Sequence, residues 1–304
     1  MASRVPTHQE YFDPRAVRSI GIIPAMHKRR ISTALRDVVD WLDKRNIKPL
    51  IPRESAEALS VPEVGADPDS LSDSVDLFLS MGGDGTFLTT ARIAAPRGKP
   101  ILGINLGGFG FLASIPSGAT MLETLAGAMQ EPLPIQERMM LEAVVSRKGE
   151  ATQSFLALND IVVGKGAFSR LFRLKTSISG DPISYFPADG MIVATPTGST
   201  GYSLSAGGPV IDPEVRAIML TPICAHTLSA RTLVVPADRV VEMELPDLRG
   251  EEVNLTADGQ EGFTLKAGDH IEIRAARFSA RLVILKNSSF YARLRGKLGW
   301  GSHR

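Results

Sequence analysis

The sequence predicts an α/β N-terminal domain with a parallel sheet, followed by a β-rich, sandwich-like C-terminal domain. Up to residue 135, apolar strand-like segments alternate with segments of helical spacing, which is typical of a parallel sheet covered by helices. From residue 136 onward strand signals dominate and are separated by Gly, Pro or Asp. The length of 304 residues is large for one core and suits two domains.

The N-terminal domain is predicted over residues 1–135. Its strands are short and apolar and comprise residues 19–23, 47–51, 75–79 and Pro100–Asn105. Its clearest helix faces comprise Leu35, Val38, Val39 and Leu42, and then Phe87, Leu88, Ala91, Ala94 and Ala95. Segment 54–74 is typical of a loop or short helix. A helix over 120–130, followed by Pro132 and Pro134, marks the domain boundary.

The C-terminal domain is predicted over residues 136–286 and consists mainly of strands. Many of these segments alternate in polarity, and they comprise residues 141–146, 171–177, 231–236, 240–245, Val253–Ala257 and 270–274. The chain shows no internal repeat and no low-complexity stretch. This pattern favours a β-rich domain over a repeat architecture.

The composition is that of an ordinary globular protein, with 43% hydrophobic and 22% charged residues. The formal net charge of +1 creates no global field that would recruit nucleic acid or a membrane. Two basic clusters, residues 27–30 and the set Arg293, Arg295 and Lys297, are interpreted as solvated surface. Aromatic residues are not interleaved with these charges, so nucleic-acid binding is disfavoured.

The single cysteine, Cys224, cannot form an intrachain disulfide. We expect it to be a small core residue. The charged N-terminal segment lacks the apolar run of a secretory signal, and no segment approaches the roughly 20 apolar residues that span a bilayer, so we expect a cytoplasmic protein. No His/Cys/Asp cluster has zinc spacing, and Gly198-Ser199-Thr200-Gly201 lacks the spacing of a hydrolase nucleophile elbow.

A glycine-rich turn follows the strand predicted at 75–79 and opens a helix. It consists of Gly82, Gly83, Asp84, Gly85 and Thr86. Glycines let a ligand approach the main chain, and amides at a helix start attract phosphate. The carboxylate of Asp84 would repel phosphate unless it holds a metal ion, takes a proton from an attacking hydroxyl or hydrogen-bonds a hydroxyl, and all three uses fit phosphoryl transfer. The alternative is a simple glycine turn with Asp84 as a helix cap.

Three motifs occur together and in this order in NAD kinases, and the chain resembles that family. They are the turn at 82–86, the pair Asn159-Asp160, and the long block of small and hydroxylated residues at 189–209. Segments 104–112, 221–229 and 258–260 extend the match, while the N-terminal strand and helix fit more loosely. The turn alone also occurs in lipid kinases and phosphofructokinases, so the long block is what singles out NAD kinases.

The resemblance implies transfer of the γ-phosphoryl group of ATP, or in some members polyphosphate, to the 2′-hydroxyl of the adenosine ribose of NAD, giving NADP. It assigns a divalent ion such as Mg²⁺ to the phosphates. Asp84 is the candidate base, and the sequence does not separate this role from a metal contact. A lower-ranked idea places residues 27–30 on the ATP phosphates. The same two-domain architecture is implied, with a tail from residue 287 to 304 packing back on the first domain.

The resemblance also assigns ligand contacts residue by residue. Asn159 and Asp160 would bind ribose hydroxyls, where the family usually has Glu at the second position; an Asx turn is the alternative. The adenosine pocket would be lined by Thr197, Ser199, Thr200, Gly201 and Tyr202. Gly201 replaces the usual Ala, which should enlarge the pocket slightly without loss of activity, and Tyr202 could instead be a half-buried core ring.

The resemblance also implies roles for Phe111 and Asp189. Phe111 matches an aromatic position beside the adenine, although core packing explains it nearly as well. Asp189 matches a carboxylate that reaches the nicotinamide end of an NAD bound mainly by a neighbouring subunit, which would require a homodimer or homotetramer. His226 is assigned no catalytic role.

Two other functions remain open at this point. A lipid or sugar kinase would share the glycine turn but leaves the 189–209 match unexplained. A catalytically silent dinucleotide-binding sensor would bind NAD without turnover, and the intact Asp84 argues against it.

Overall fold

The structure is a computed structural model of the 304-residue chain, and it describes residues 10–28, 31–107, 110–166, 172–184, 187–224, 230–245, 247–248, 251–286 and 289–299. The chain divides into two compact units. The first combines Met1–Glu137 with Ala280–Arg304, and the second is Arg138–Ser279. The predicted fold class is confirmed, because the first unit holds a parallel sheet with helices and the second holds antiparallel strands.

The first unit contains five parallel strands in the order β6-β5-β2-β3-β4, with short strands added at its margins. The strands up to the unit boundary are β1 Tyr11–Phe12, β2 Ser19–Pro24, β3 Lys48–Pro52, β4 Gly65–Ala66, β5 Leu77–Gly82, β6 Pro100–Asn105, β7 Ile115–Pro116 and β8 Leu133–Ser146. The helices are α1 Ile31–Asp43, α2 Arg53–Ala58, α3 Pro68–Ser74, α4 Asp84–Ala94 and α5 Met121–Ala128. Short 3₁₀ helices occur at Pro14–Ala16, Pro62–Val64 and Ala95–Arg97.

The central strands β2 and β5 are buried along all six residues, as expected for parallel strands covered on both faces. Helix α1 packs its apolar stripe, which includes Leu35, Val38 and Leu42, into the same core. Strand β3 lies beside β2 on one side of the sheet, whereas β6 lies beside β5 on the other side. The strand order therefore reverses between β2 and β5, and the carboxyl edge at such a point is where α/β sheets bind ligands.

The second unit packs two antiparallel sheets against each other. Its remaining strands are β9 Gln153–Ala157, β10 Asp160–Lys165, β11 Phe172–Arg173, β12 Lys175–Ile178, β13 Asp181–Ser184, β14 Pro187–Ala188, β15 Gly190–Ala194, β16 Ala217–Ile223, β17 Leu233–Pro236, β18 Val241–Glu244, β19 Val253–Ala257, β20 Glu261–Leu265 and β21 His270–Val283. One sheet has the order β17-β16-β15-β10-β19-β20. The other contains β13-β12-β18-β21 and the pair β8-β9.

Alternating burial explains why these strands form a sandwich. In β19 every second residue is buried, and the same alternation runs through residues 141–145 of β8. Inward side chains of both sheets, including Leu141, Leu255 and Ile271, join one apolar cluster. The short 3₁₀ helix Thr197–Thr200 and the helix α6 Tyr202–Ser205 follow β15, and helix α7 Phe290–Leu298 belongs to the first unit.

Several element boundaries differ from the sequence predictions. Strand β8 begins at Leu133, earlier than the predicted start at 141, because Leu133 and Pro134 pair with β1 at the sheet margin. Strand β21 continues to Val283, beyond the predicted end at 274, and its last residues pair with β6. The described part of the chain has no helix long and apolar enough to cross a membrane.

Candidate active site

Asp84 begins helix α4 directly after β5 and the bridging Gly83. A side chain at Gly82 would collide with Thr86, and its Cβ would lie 2.8 Å from that of Ala25, so only glycine fits there. Around Gly83, by contrast, a Cβ would meet nothing within 4 Å. The turn is therefore closely packed at Gly82 and open at Gly83, and Gly85 is exposed as well.

The Asp84 carboxylate is fixed by the loop that follows β6. Its Oδ2 accepts a hydrogen bond from the Phe111 amide at 2.9 Å, and its Oδ1 accepts one from the Leu112 amide at 3.1 Å. Each carboxylate oxygen can accept more than one hydrogen bond, so both oxygens keep capacity for a ligand. The side chain is 29% exposed, which leaves it accessible.

The C-terminal helix α7 adds two cations to this site. Arg293 donates to the Phe111 carbonyl and, at 3.0 Å, to Ser114 Oγ. Lys297 Nζ lies 4.0 Å from Asp84 Oδ2 and 4.4 Å from the centroid of the Phe111 ring. The interpretation of Arg293 as solvated surface was wrong, because this half-buried side chain bonds the loop. Lys297 is exposed, as predicted, and its i, i+4 spacing from Arg293 places it on the same face of the helix. Arg295 is exposed.

Burial lowers the pKa of Arg293 from its usual range, and the negative charge of Asp84 opposes that change. The Phe111 ring is half-buried and its centroid lies 6.1 Å from that of Phe290 at the start of α7. Phe111 thus packs on α7, and its place beside an adenine stays a prediction. Lys28 Nζ lies 3.2 Å from the position that a Cβ of Gly107 would take, at the carboxyl edge of the sheet.

Replacing Gly110 by Ala should disturb the Asp84 carboxylate. A Cβ at this position would overlap Oδ1 and lie 3.1 Å from Asp84 Cγ. We expect Gly110→Ala to lower the free energy of unfolding by about 1–3 kcal/mol, because relieving the overlap displaces the carboxylate from its two amide donors. Urea unfolding measures this effect. Gly83→Ala, which adds the same methyl group in open space, should change the stability by less than about 0.5 kcal/mol, and equal losses in both variants would contradict the argument.

In the second unit, Asn159 and Asp160 lie where β9 ends and β10 begins. Asp258 holds this backbone, because its carboxylate accepts from the amides of Leu158, Asn159 and Asp160 at 3.1, 2.7 and 3.3 Å. Asp258 itself adopts a positive φ of 53°, in the turn after β19. Sequence reasoning matched residues 258–260 but gave Asp258 no role. Its position in an Asp-Gly turn was the available signal.

The Asp160 side chain is only 5% exposed. Burial, and secondarily the charge of Asp258, raises the pKa of Asp160 to about 7. Near neutral pH this carboxyl group can therefore be present in both protonation states. It can accept a hydrogen bond when ionised and donate one when protonated.

Thr195 and Gly198 join the turn after β15 to the same backbone. Thr195 Oγ1 donates to the Leu158 carbonyl at 2.6 Å and accepts from the Gly198 amide at 3.1 Å. A Cβ at Gly198 would lie 2.8 Å from Asn159 Cα, so glycine allows this close approach. Thr195 was not identified from the sequence, although a threonine at the end of a buried strand was its signal.

The hydroxylated residues of the 197–202 turn differ in their availability. Ser199 is fully buried, and its hydroxyl both donates to and accepts from the backbone of Ile211 at 3.1 Å. Thr197 accepts from Arg138 at 3.3 Å, and Thr200 donates to the Thr197 carbonyl at 3.4 Å. The two hydrogen bonds between Ser199 and Ile211 therefore stabilise the turn.

Tyr202 and Gly201 lie at the open end of that turn. Tyr202 is 47% exposed, so its ring is not the core ring of the alternative interpretation. A Cβ at Gly201 would lie 3.2 Å from the Gly198 carbonyl oxygen and 3.4 Å from Asn159 Nδ2. A methyl group at this position would therefore be in tight contact with the Gly198 carbonyl, and whether its loss enlarges the pocket stays a prediction.

Asp189 has a partner within the chain. Its Oδ1 lies 2.9 Å from Lys165 Nζ, and both side chains are 27% exposed. Cys224 is exposed and follows β16 with a positive φ of 46°, so the expectation of a core cysteine was wrong. His226 and its neighbours 225–229 lie outside the described residues.

Among the residues that the structure describes, no three His, Cys, Asp or Glu side chains form a group that could hold a metal ion. The Asp84 carboxylate is nevertheless the hard oxygen ligand that Mg²⁺ prefers. Such an ion usually keeps water and is bound largely through nucleotide phosphates. The residues therefore fit a magnesium ion that arrives with a nucleotide.

Comparisons with known proteins cover nearly the whole chain. The ATP-NAD kinase N-terminal domain family matches residues 20–132, and the ATP-NAD kinase C-terminal domain family matches residues 158–285. NAD kinase from Moorella thermoacetica is 44% identical over 95% of this chain and 91% of its own length. NAD kinase from Syntrophotalea carbinolica is 41% identical over 94% and 99%.

Two solved structures resemble the chain. An NAD kinase from Archaeoglobus fulgidus in complex with ATP superposes with a TM-score of 0.68 and 25% identity, covering 92% of this chain and 98% of that one. Yeast NADH kinase complexed with NADH superposes with a TM-score of 0.86, covering 97% and 93%, and at 23% identity this likeness concerns the fold. These similarities do not favour a lipid kinase, a sugar kinase or a silent sensor.

Proposed function

The chain belongs to the NAD kinase family, and from that premise we propose that it transfers the γ-phosphoryl group of ATP to the 2′-hydroxyl of the adenosine ribose of NAD, giving NADP. The observation that carries this proposal is the Asp84 carboxylate, held by two amides at the start of α4 beside an open glycine turn. A carboxylate so placed can accept the proton of an alcohol that attacks a phosphate.

In the proposed reaction, the ribose oxygen forms a bond to the γ-phosphorus as the bond from that phosphorus to the bridging β–γ oxygen breaks. Asp84 takes the hydroxyl proton, and ADP leaves. The amides of the 83–86 turn and the dipole of α4 favour the donor phosphates. A magnesium ion bound with ATP would neutralise phosphate charge, with Asp84 as its protein contact.

The acceptor NAD is assigned to the second unit. Asn159 and Asp160 offer amide and carboxyl groups to the two ribose hydroxyls, and Asp258 fixes the backbone from which both project. The exposed ring of Tyr202 is available to stack on adenine. Thr197, Ser199, Thr200 and Gly201 shape this turn, with Ser199 acting through its bonds to Ile211.

The test is NADP formation by the purified protein given NAD, ATP and Mg²⁺. We expect product that depends on all three, and no product despite NAD binding would favour the silent sensor. Substituting NADH for NAD, and polyphosphate for ATP, would define the substrate range. Loss of product on chelation with EDTA, restored by added Mg²⁺, would support the divalent ion.

A cytoplasmic homo-oligomer is part of the same proposal. In this family pattern Asp189 contacts the nicotinamide end of an NAD held by a neighbouring subunit, and here Lys165 holds its carboxylate in a partly exposed position. Light scattering after size-exclusion chromatography should give a dimer or tetramer. A monomer with full activity would contradict this assignment of Asp189.

A further inference from the structure

Helix α7 places a cation beside the candidate base. Lys297 Nζ lies 4.0 Å from Asp84 Oδ2, which is longer than a direct hydrogen bond. The Asp84 oxygens already accept from the Phe111 and Leu112 amides, so Lys297 is not needed to hold the carboxylate. The Lys297 side chain is one-third exposed, and its ammonium group carries three donors on a flexible stem.

The backbone that carries Lys297 is well anchored although the ammonium group is loosely paired. Arg293, one turn earlier, bonds both the Phe111 carbonyl and Ser114 Oγ. Leu294 is buried at 4% exposure, and the Phe290 ring packs on that of Phe111. Gly299 then ends the helix with a positive φ of 67°. Helix α7 therefore holds Lys297 on an anchored backbone, with its ammonium group beside the Asp84 carboxylate.

The charges of the reaction favour a cation at this position. A triphosphate tail brings several negative charges to a turn that already contains the Asp84 carboxylate, and these charges repel one another. Lys297 is close enough to Asp84 to reach a phosphate oxygen placed beside it, since its stem is flexible and its present contact is loose. A compact ammonium group is a common phosphate ligand in proteins.

We propose that Lys297 binds the terminal phosphates of the phosphoryl donor, exchanging its contact with Asp84 for one with a phosphate oxygen. The inference rests on the proposed function, because it assigns Lys297 to the donor of that reaction. The ligand class is a linear triphosphate or longer polyphosphate tail. Arg293 is a positioning residue in this scheme, since it holds the loop and α7 together.

The experiment compares Lys297→Gln and Lys297→Arg with Arg295→Gln. Arg295→Gln removes one positive charge from the exposed part of the same helix and serves as the matched control. Calorimetric titrations use ATP, ADP, AMP and inorganic tripolyphosphate, each with Mg²⁺ and without NAD. Steady-state kinetics then give the KM for ATP and for NAD separately, and thermal unfolding gives Tm.

For Lys297→Gln we expect about tenfold weaker binding of ATP and tripolyphosphate, which corresponds to about 1.4 kcal/mol. AMP affinity, the KM for NAD and Tm should stay close to wild type. Lys297→Arg should recover most of the affinity, and Arg295→Gln should match wild type.

Equal losses for AMP and ATP, a raised KM for NAD alone, or the same loss in Arg295→Gln would overturn the proposal. A wild-type protein that binds ATP but makes no NADP would refute the proposed function. The affinity series for the three variants would still decide the role of Lys297, so the two failures can be told apart.

Discussion

Asp84→Asn is expected to lower the rate of NADP formation by about a thousandfold while the protein stays folded. The carboxamide cannot accept the proton of the attacking hydroxyl, and general-base catalysis contributes about 10²–10⁴-fold in enzymes. The substitution also turns an NH₂ group toward one of the two amides that the carboxylate now binds, Phe111 N or Leu112 N. Steady-state kinetics with saturating NAD and ATP measure the rate, and circular dichroism checks the fold.

Asp84→Asn can lower the rate by removing the carboxylate or by displacing the loop after β6 that contains Phe111 and Leu112. The experiment must separate these two causes. Gly110→Ala supplies the comparison, because it strains the same contact while keeping the carboxylate. We expect Gly110→Ala to keep measurable turnover where Asp84→Asn has almost none. A near-wild-type rate in Asp84→Asn would remove Asp84 as base or metal contact, and with it the mechanism given above.

Asp160→Asn is expected to stabilise the protein at pH 8 while weakening NAD binding. Burial raises the pKa of Asp160 from 3.8 to about 7 in the folded protein. Between these values the folded state binds more protons than the unfolded state, so this residue makes stability fall as the pH rises from about 4 to about 7. Above that window the penalty is complete and amounts to at most about 4 kcal/mol.

Asparagine has no charge to bury, so the free energy of unfolding of Asp160→Asn should not show this decrease between about pH 4 and about pH 7. Urea unfolding at pH 4.5 and pH 8 should show wild type and Asp160→Asn close together at the lower pH, and the variant more stable at the higher. Asp238→Asn, on an exposed turn, serves as the control. The KM for NAD should rise about tenfold in Asp160→Asn, as one hydrogen bond to a ribose hydroxyl is changed. A variant less stable than wild type at pH 8 would contradict the burial argument.

The elements with local signals were predictable from the sequence. The strand before Gly82 and the amphipathic face of α1 follow directly from apolar spacing, and Val253–Ala257 was predicted with its observed bounds. The glycine turn was also identified, because glycines and an acid between a strand and a helix form a local pattern. In each case, residues close in sequence determine the structure.

The remaining features depend on contacts distant in sequence. Asp258 holds the backbone of Asn159 across about a hundred positions, and Arg293 reaches Phe111 from still farther along the chain. The length of β21 was underestimated because its last residues pair with β6, a strand of the first unit. The basic cluster of α7 resembles solvated surface until its partners are known, and so the partial burial of Arg293 was not predicted.

The division of the chain has a consequence for its synthesis. The first unit requires Ala280–Arg304, whereas the second unit is one uninterrupted segment. On the ribosome the second unit can therefore fold to completion while the first still lacks its closing strand and α7. A nascent or prematurely terminated chain has the glycine turn but neither Arg293 nor Lys297. The candidate site is therefore completed only after segment 280–298 has been synthesised, and we expect a chain cut before Ala280 to make no NADP even where the second unit is intact.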